Sequence, residues 1–146
     1  MDVGKHTREI YFFRNTCHRC FNDVEIPSLG DFAYGELIFQ TTNAQDFALV
    51  TLIDNKTFSF IINALETLKN KKTDPQYVLA RLADPLNGKE FTIDRLCPIC
   101  RHKQRHFVDY IKTSSKKLPF VSWNSFEDLN EENKIQLIKE IVSNKI

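Results

Sequence analysis

The clearest chemistry in this sequence is carried by four cysteines, arranged as two Cys-x-x-Cys pairs. The first pair lies in the stretch NTCHRCF, and the second lies in RLCPICRHKQRHF. A two-residue gap lets both sulfurs of a pair face one ion from a tight turn, and four thiolates complete a tetrahedral Zn²⁺ shell. We therefore predict a single structural zinc ion whose ligands are Cys17, Cys20, Cys97 and Cys100.

The first pair is expected to lie among strands. Residues 9–14, EIYFFR, are aromatic and β-branched, which predicts a strand that leads into Cys17. NDVEIP predicts a second short strand after the pair, followed by a turn at PSLGD. Two apolar runs, 37–39 and 47–53, flank the polar stretch QTTNAQD and predict a hairpin. The second run is apolar almost throughout, which is typical of a strand covered on both faces.

Helical spacing follows the hairpin in several places. Thr57 is the expected N-cap of one helix, and Asp74, with a proline after it, opens a second. Asn130 caps a last helix of about 130–144, which we expect to pack on the rest of the domain. NGKEFTI predicts a turn and a short strand, and TSSKKLP predicts a polar link.

The second cysteine pair predicts a further helix. Pro98 follows Cys97 directly, and helical spacing is expected from around Cys100. A helix N-terminus offers free N–H groups and a positive dipole end, both of which favour a thiolate. The apolar residues of this predicted helix are Phe107, Tyr110 and Ile111.

These elements predict an α+β fold with the order βββ–αα–β–α–α. We expect a small antiparallel sheet with a hairpin, three to four helices, and one four-cysteine zinc site that joins the N-terminal and central segments. The 146 residues are enough to bury a core, so a single zinc-stabilised domain over residues 1–146 is predicted.

The two cysteine motifs resemble those of the zinc-ribbon and treble-clef group, in which a first knuckle and a later CPxC share one zinc. The resemblance covers only Cys17, Cys20, Cys97 and Cys100, and it implies one shared zinc site. Glycine often follows the second cysteine of such a knuckle. This chain has Phe21 after the first pair and Arg101 after the second, where we expect a helix to continue.

Other interpretations of the cysteines remain open. Thiol–disulfide exchange of the thioredoxin kind uses one CxxC between a strand and a helix in a βαβ context, which neither pair has. A rubredoxin-like iron site favours glycines that are missing here. The pairs could also be buried independently without a metal. His102 and His106, spaced i, i+4, could each replace a cysteine as ligand or face solvent on a basic helix.

Basic residues surround both cysteine pairs. The segment 95–117 carries seven cations and one anion, and the segment 5–19 carries four cations and one anion. A zinc ion with four thiolates has a formal charge of about −2, which nearby cations would stabilise. The same cations allow an alternative function, a nucleic-acid-binding zinc module on the predicted basic helix. Its candidate residues are Arg101, Lys103, Arg105 and Lys112.

Acidic residues dominate the segment 21–60, with six acids against the single cation Lys56. They could form an ordinary solvated face, or an anionic face that steers association with a basic protein. On the second interpretation the candidate partner-binding residues are Asp23, Glu25, Asp31, Glu36 and Asp46.

The sequence contains no recognisable catalytic constellation. None of the four histidines lies beside a carboxylate in a base motif, and a closed shell of four cysteines has no open coordination position. Treble-clef nucleases use a histidine on the hairpin and a second His or Asn on the helix, and the predicted hairpin has no histidine. We therefore expect no enzyme, no catalytic residue and no small-molecule substrate, with a treble-clef-type nuclease as an alternative.

The remaining features predict a cytoplasmic protein that acts by binding. No window reaches the roughly 18 apolar residues of a membrane span, and MDVGKHTREI lacks the apolar region of a secretory signal. Small bacterial toxin-neutralising (immunity) proteins share this profile: short, single-domain, acidic over one surface and without a catalytic motif. We expect the protein to bind a protein partner, which in the most specific form of this hypothesis is a basic toxin domain. We expect no association with a membrane.

Overall fold

The computed structural model describes residues 7–29, 34–104 and 111–144. Along these residues four strands precede two helices, and four further strands precede two more helices. In chain order the elements are β1 (Thr7–Thr16), β2 (Asp23–Pro27), β3 (Glu36–Thr41), β4 (Phe47–Thr51), α1 (Lys56–Thr67), α2 (Pro75–Leu82), β5 (Phe91–Thr92), β6 (Arg95–Leu96), β7 (Lys103–Gln104), β8 (Lys112–Pro119), α3 (Asn124–Glu127) and α4 (Glu131–Ser143).

Sheet A contains three antiparallel strands in the order β2-β1-β8. The central strand β1 buries Ile10 and Phe12, and the ring of Phe12 meets that of Phe47 edge-on, with 5.9 Å between the centroids. The predicted strands at EIYFFR and NDVEIP are confirmed as β1 and β2. Sheet A thus leads directly into the first cysteine pair, which lies between these two strands.

Sheet B contains the predicted hairpin, with the strand order β4-β3-β5. Four successive residues of β4, from Phe47 to Val50, are buried. Ala48 and Val50 belong to the cluster formed with the helices, whereas Phe47 and Leu49 belong to the cluster formed with sheet A. The prediction that this strand is covered on both faces is therefore confirmed, and β4 joins the two halves of the core.

Side-chain caps start the three longer helices. Asp74 accepts from the N–H of Gln76 at 2.9 Å and Asn130 accepts from the N–H of Asn133 at 2.8 Å, as predicted for α2 and α4. The predicted N-cap of α1 is wrong, because Asn55 occupies that position. Thr57 lies inside the helix, where its side chain is buried.

The helices pack on one face of sheet B and form the larger core cluster. In α4, Ile138 and Ile141 are buried in this cluster beside α1 and α2. The indole N–H of Trp123 donates to the carbonyl of Leu79 at 2.9 Å, which ties the segment before α3 to α2. The last helix therefore packs on the helices that precede it.

Two predictions fail between residues 100 and 119. No helix begins at Cys100, because Arg101 has a left-handed backbone and β7 follows at once; Phe107 and Tyr110 lie outside the described residues. TSSKKLP is not a link but most of strand β8, which pairs with β1. Its polar composition suits a strand at the edge of a sheet, where only Leu118 is buried.

The predicted α+β fold is confirmed. The described residues form small antiparallel sheets and four helices, and they bring the N-terminal and central cysteines together. No helix among the described residues is long and apolar enough to cross a membrane.

Candidate metal centre

Both cysteine pairs lie in turns between antiparallel strands. The first knuckle, residues 17–22, connects β1 to β2, and the second knuckle, residues 97–102, connects β6 to β7. Cys17 and Cys97, the first cysteine of each pair, are buried, whereas Cys100 is exposed. The strands on either side of the second knuckle are only two residues long, which is too short to show an alternation of apolar and polar residues. The sequence pattern therefore did not predict this hairpin.

The two knuckles have the same backbone hydrogen bonds. In each, the N–H of the first cysteine donates to the carbonyl five residues later, and the N–H four residues later donates to the carbonyl of the first cysteine. These distances are 3.0 and 3.1 Å around Cys17, and 3.0 and 2.8 Å around Cys97. The residue after the second cysteine, Phe21 or Arg101, has a φ of 59° or 64°.

That positive φ is the conformation for which knuckles favour glycine. Phe21 and Arg101 adopt it although L side chains rarely do, so the missing glycines did not prevent either turn from forming. The expectation that a helix continues at Arg101 is wrong, because the turn reverses the chain into β7 there. Both cysteine pairs are therefore hairpin knuckles, and the helix implied by a treble clef does not begin at Cys100.

The four sulfur atoms form one compact cluster. All four lie within 4.8 Å of one another. The Sγ atoms of Cys17 and Cys100 are 3.6 Å apart, and those of Cys20 and Cys97 are 3.8 Å apart. Four ligands at the usual zinc–sulfur distance of about 2.3 Å stand roughly 3.8 Å from one another in a tetrahedron. The cluster therefore has the donor set and the spacing of a four-cysteine metal site.

Backbone N–H groups converge on the buried sulfurs. The Sγ of Cys17 accepts from the N–H groups of Arg19 and Cys20 at 3.3 and 3.4 Å. Cys97 accepts in the same way from Ile99 and Cys100, at 3.4 and 3.5 Å. Such donors stabilise the thiolate, which is the form of the cysteine side chain that binds a metal.

The thiol pKa values reflect this arrangement. Burial raises the pKa of Cys17, but the N–H groups of Cys20 and Arg19 outweigh it, so the pKa falls to about 6. The N–H of Asn22 lowers the pKa of Cys20. For Cys100 the N–H of His102 favours the thiolate, but burial and the neighbouring thiols raise the pKa to about 11. The lowered pKa of Cys17 favours its thiolate, which is the form that binds a metal.

Gln104 joins the two knuckles, and the sequence analysis did not identify it. Its side chain is buried; its Nε2 donates to the Sγ of Cys17 at 3.4 Å and to the carbonyl of His102 at 3.0 Å. Its Oε1 accepts from the N–H of His18 at 3.2 Å. A single amide therefore contacts both knuckles and one ligand sulfur. A glutamine four positions after the second CxxC motif does not by itself indicate a role in a metal site.

The second knuckle is also anchored to sheet B. Gln40 is fully buried; its Nε2 donates to the carbonyl of Leu96 at 2.9 Å, and its Oε1 accepts from the N–H of the same residue at 2.8 Å. Gln45, in the β3–β4 turn, donates to the carbonyl of Pro98 at 2.7 Å. These amides position the second cysteine pair in the absence of long strands.

The predicted nucleic-acid-binding residues are not gathered on one helix. Arg101 is exposed on the second knuckle, and the ammonium group of Lys103 on β7 lies 3.2 Å from the carboxylate of Asp94. Lys112 lies at the start of β8, with its ammonium group 4.0 Å from the centroid of an aromatic ring of β1. Arg105 lies outside the described residues.

Three of the predicted acidic residues meet at one cleft. Asp23, Glu25 and Asp46 line a cleft of about 610 Å³ beside the second knuckle. Its floor is apolar and includes Phe12 and Phe47. The full lining is Phe12, Asp23, Val24, Glu25, Gln45, Asp46, Phe47, Leu86, Asn87, Pro98, Ile99, Lys116, Lys117, Leu118 and Pro119.

The other predicted acids lie elsewhere or are paired. Glu36 does not line the cleft. Its carboxylate accepts two hydrogen bonds, of 2.6 and 2.9 Å, from the guanidinium of Arg8. Within the cleft, Glu25 lies 3.9 Å from Lys116. Asp31 lies outside the described residues.

The histidines do not form a recognisable catalytic group among the described residues. His102 lies in the second knuckle rather than on a helix, and its carbonyl accepts the backbone bond that closes that turn. His106, predicted to share a helix face with it, lies outside the described residues.

Comparison with protein-family models, with curated proteins and with solved structures gives no match for this chain.

Proposed function

We propose that the four cysteines bind one Zn²⁺ ion and that this ion is structural. The all-sulfur donor set, the near-tetrahedral spacing and the N–H groups aimed at Cys17 and Cys97 support zinc. Four protein ligands fill the shell, so the ion would have no position for a substrate or an activated water. Its role is then to hold the two knuckles together.

We further propose that the protein is not an enzyme and acts in the cytoplasm by binding a basic protein partner. In its most specific form the partner is a toxin domain that this protein neutralises. The observation that carries this proposal is the cleft, which combines an apolar floor with the acidic side chains of Asp23, Glu25 and Asp46. An acidic rim around an apolar centre suits a partner surface with the opposite charge.

A site-specific photo-crosslinker tests the class of the partner. The crosslinking amino acid replaces Lys117 on the cleft in one protein and Glu66, exposed on α1, in a control protein. Both are expressed and irradiated in host cells, and the adducts are treated with protease or nuclease. We expect a protein adduct that is specific to position 117, contains a basic polypeptide and arrests growth when that polypeptide is expressed alone.

Charge reversal provides the matched control. Asp23→Lys with Asp46→Lys should abolish the adduct, whereas Glu66→Lys with Glu90→Lys changes the net charge equally and should leave it intact. Glu25 is kept because its carboxylate already lies 3.9 Å from the ammonium group of Lys116. A nuclease-sensitive adduct, or no adduct beyond that of the position-66 control, would refute protein binding at the cleft.

A second candidate function, nucleic-acid binding, has one specific observation in its favour. Phe21 on the first knuckle is 77% exposed, so its ring is available for base stacking. The exposed cations Arg19 and Arg101 flank the metal ligands of the two knuckles. Fluorescence anisotropy with a single-stranded oligonucleotide tests this: binding should weaken steeply with salt and be lost in Phe21→Ala.

A further inference from the structure

Two walls of the cleft adjoin different knuckles. Asp23 and Val24, at the start of β2, follow the first knuckle directly, and they line one side. Pro98 and Ile99, between the cysteines of the second knuckle, line another. The sulfur cluster joins the knuckles from which these walls extend, since it brings Cys17 and Cys20 together with Cys97 and Cys100.

The cleft is lined by three carboxylates and by the two ammonium groups of Lys116 and Lys117, so its charge is net negative. Lys116 lies next to Glu25 and above the ring of Phe12, 4.8 Å from its centroid. Asp23 accepts from the hydroxyl of Thr16 at 2.9 Å, and no salt bridge to Asp23 or Asp46 occurs among the described residues. Within the described part of the chain these two carboxylates therefore have no cationic partner, which favours a cationic ligand.

The same cleft offers apolar contact. Ile99, which lines the cleft, is 56% exposed. Phe12, Phe47 and Leu118 contribute to the floor. An exposed isoleucine above an apolar floor is a suitable contact for an apolar side chain of a partner.

We propose that this cleft binds an extended segment of the partner protein that carries both cationic and apolar side chains, and that it does so in a metal-dependent way. This inference rests on the proposed protein-binding function and specifies its ligand. Gln40 and Gln45 attach the second knuckle to sheet B, and a bound metal would in addition join it to the first knuckle, so that the metal-bound protein presents the cleft already formed. Segment binding and metal binding then favour each other by the same factor.

Three short fluorescent peptides test the ligand chemistry by anisotropy on the zinc-loaded full chain. One mixes lysine with leucine, one replaces each lysine by glutamate, and one replaces each leucine by serine. We expect only the lysine–leucine peptide to bind. Asp46→Lys and Ile99→Ser should each weaken it by about tenfold or more, and the matched changes Glu66→Lys and Ile62→Ser on α1 should not.

Linkage is tested without unfolding the protein. Zinc is titrated out with a chromophoric chelator in the presence and in the absence of saturating lysine–leucine peptide. We expect the peptide to raise the apparent zinc affinity by the factor by which zinc raises the peptide affinity. An unchanged zinc affinity would overturn the metal-dependent part of the proposal.

The remaining outcomes separate this inference from the broader function. Equal binding of the glutamate peptide, no binding of any peptide, or binding that survives both cleft substitutions would overturn the cleft as a site for a cationic segment. A crosslinked basic partner whose binding does not depend on Ile99 would leave the proposed function standing without this inference. A nuclease-sensitive adduct from position 117 would refute both.

Discussion

At the scale of single residues, Gln104 shows how a site depends on a side chain that binds no metal itself. Its amide donates to a ligand sulfur and to the carbonyl of His102, and it accepts from the N–H of His18. Outer-sphere contacts of this kind orient ligands and tune affinity. Because Gln104 touches both knuckles, it should matter for the geometry of the whole cluster.

We predict that Gln104→Ala weakens zinc binding by roughly tenfold or more. Gln104→Glu should weaken it further, because a carboxylate would stand beside the thiolate of Cys17. Chelator competition measures both affinities, and Gln136→Ala on the exposed face of α4 is the control. Unchanged affinity in a correctly folded Gln104→Ala protein would show that the amide is only a core residue.

Phe21 presents a second residue-scale question, because it combines a left-handed backbone with an exposed ring. Glycine tolerates that backbone, so Phe21→Gly should raise the free energy of unfolding by about 0.5–1 kcal/mol. Ile99→Gly, at an exposed position without positive φ, should lower it instead. Urea denaturation of the zinc-loaded proteins measures both. A loss of stability in Phe21→Gly would mean that the ring makes a stabilising contact.

At the scale of elements, Asp84 caps a helix that is far from it in sequence. Its carboxylate accepts from the N–H groups of Asn124 and Ser125, at 2.7 and 3.1 Å, and from the hydroxyl of Ser122 at 2.8 Å. Burial raises the pKa of Asp84, but these donors outweigh it, and the pKa lies below its usual value. The carboxylate therefore connects the end of α2 to the start of α3.

Because the folded pKa of Asp84 is lowered, its stabilisation is present above the ordinary aspartate pKa of about 3.9 and is lost as the pH falls through the folded value. We predict that Asp84→Ala lowers the free energy of unfolding by about 1 kcal/mol at pH 7. The difference from the wild type should shrink towards pH 3. Parallel urea titrations measure it, and metal loss at low pH affects both proteins alike. A pH-independent difference would assign the effect to packing.

The same elements show what the sequence could predict. Long patterned segments such as β1, β4, α2 and α4 were predicted, because alternation, apolar runs and caps are local properties. The residues after Cys100 were not, because a two-residue strand has no period. The positions of these short strands depend on contacts between residues distant in sequence, of Gln40 with Leu96 and of Gln104 with Cys17. β8 was missed because a polar edge strand resembles a linker until its partner is known. The cysteine cluster was predicted because its motif is short and its chemistry specific.

At the scale of the whole molecule, the metal site lies within one of two core clusters. Cys17 and Cys97 are buried with sheet A and one face of β4, whereas the helices and the other face of β4 form the second cluster. A metal that joins Cys20 to Cys97 closes a long loop and so lowers the conformational entropy of the unfolded chain. The relation used for disulfide cross-links gives a stabilisation of about 4–5 kcal/mol for a loop of this length.

Metal removal should therefore act unevenly. We predict that chelation under reducing conditions accelerates hydrogen exchange first in β1 and β2, which flank the first knuckle, and in β8, which pairs with β1, while the buried amides of α2 and α4 stay protected. Cys97→Ser should reproduce this pattern, and Ser143→Ala at the end of α4 should not. Exchange that rises equally in both clusters would mean that β4 couples them into one cooperative unit, so that the metal stabilises the helices as much as the sheet that carries its ligands.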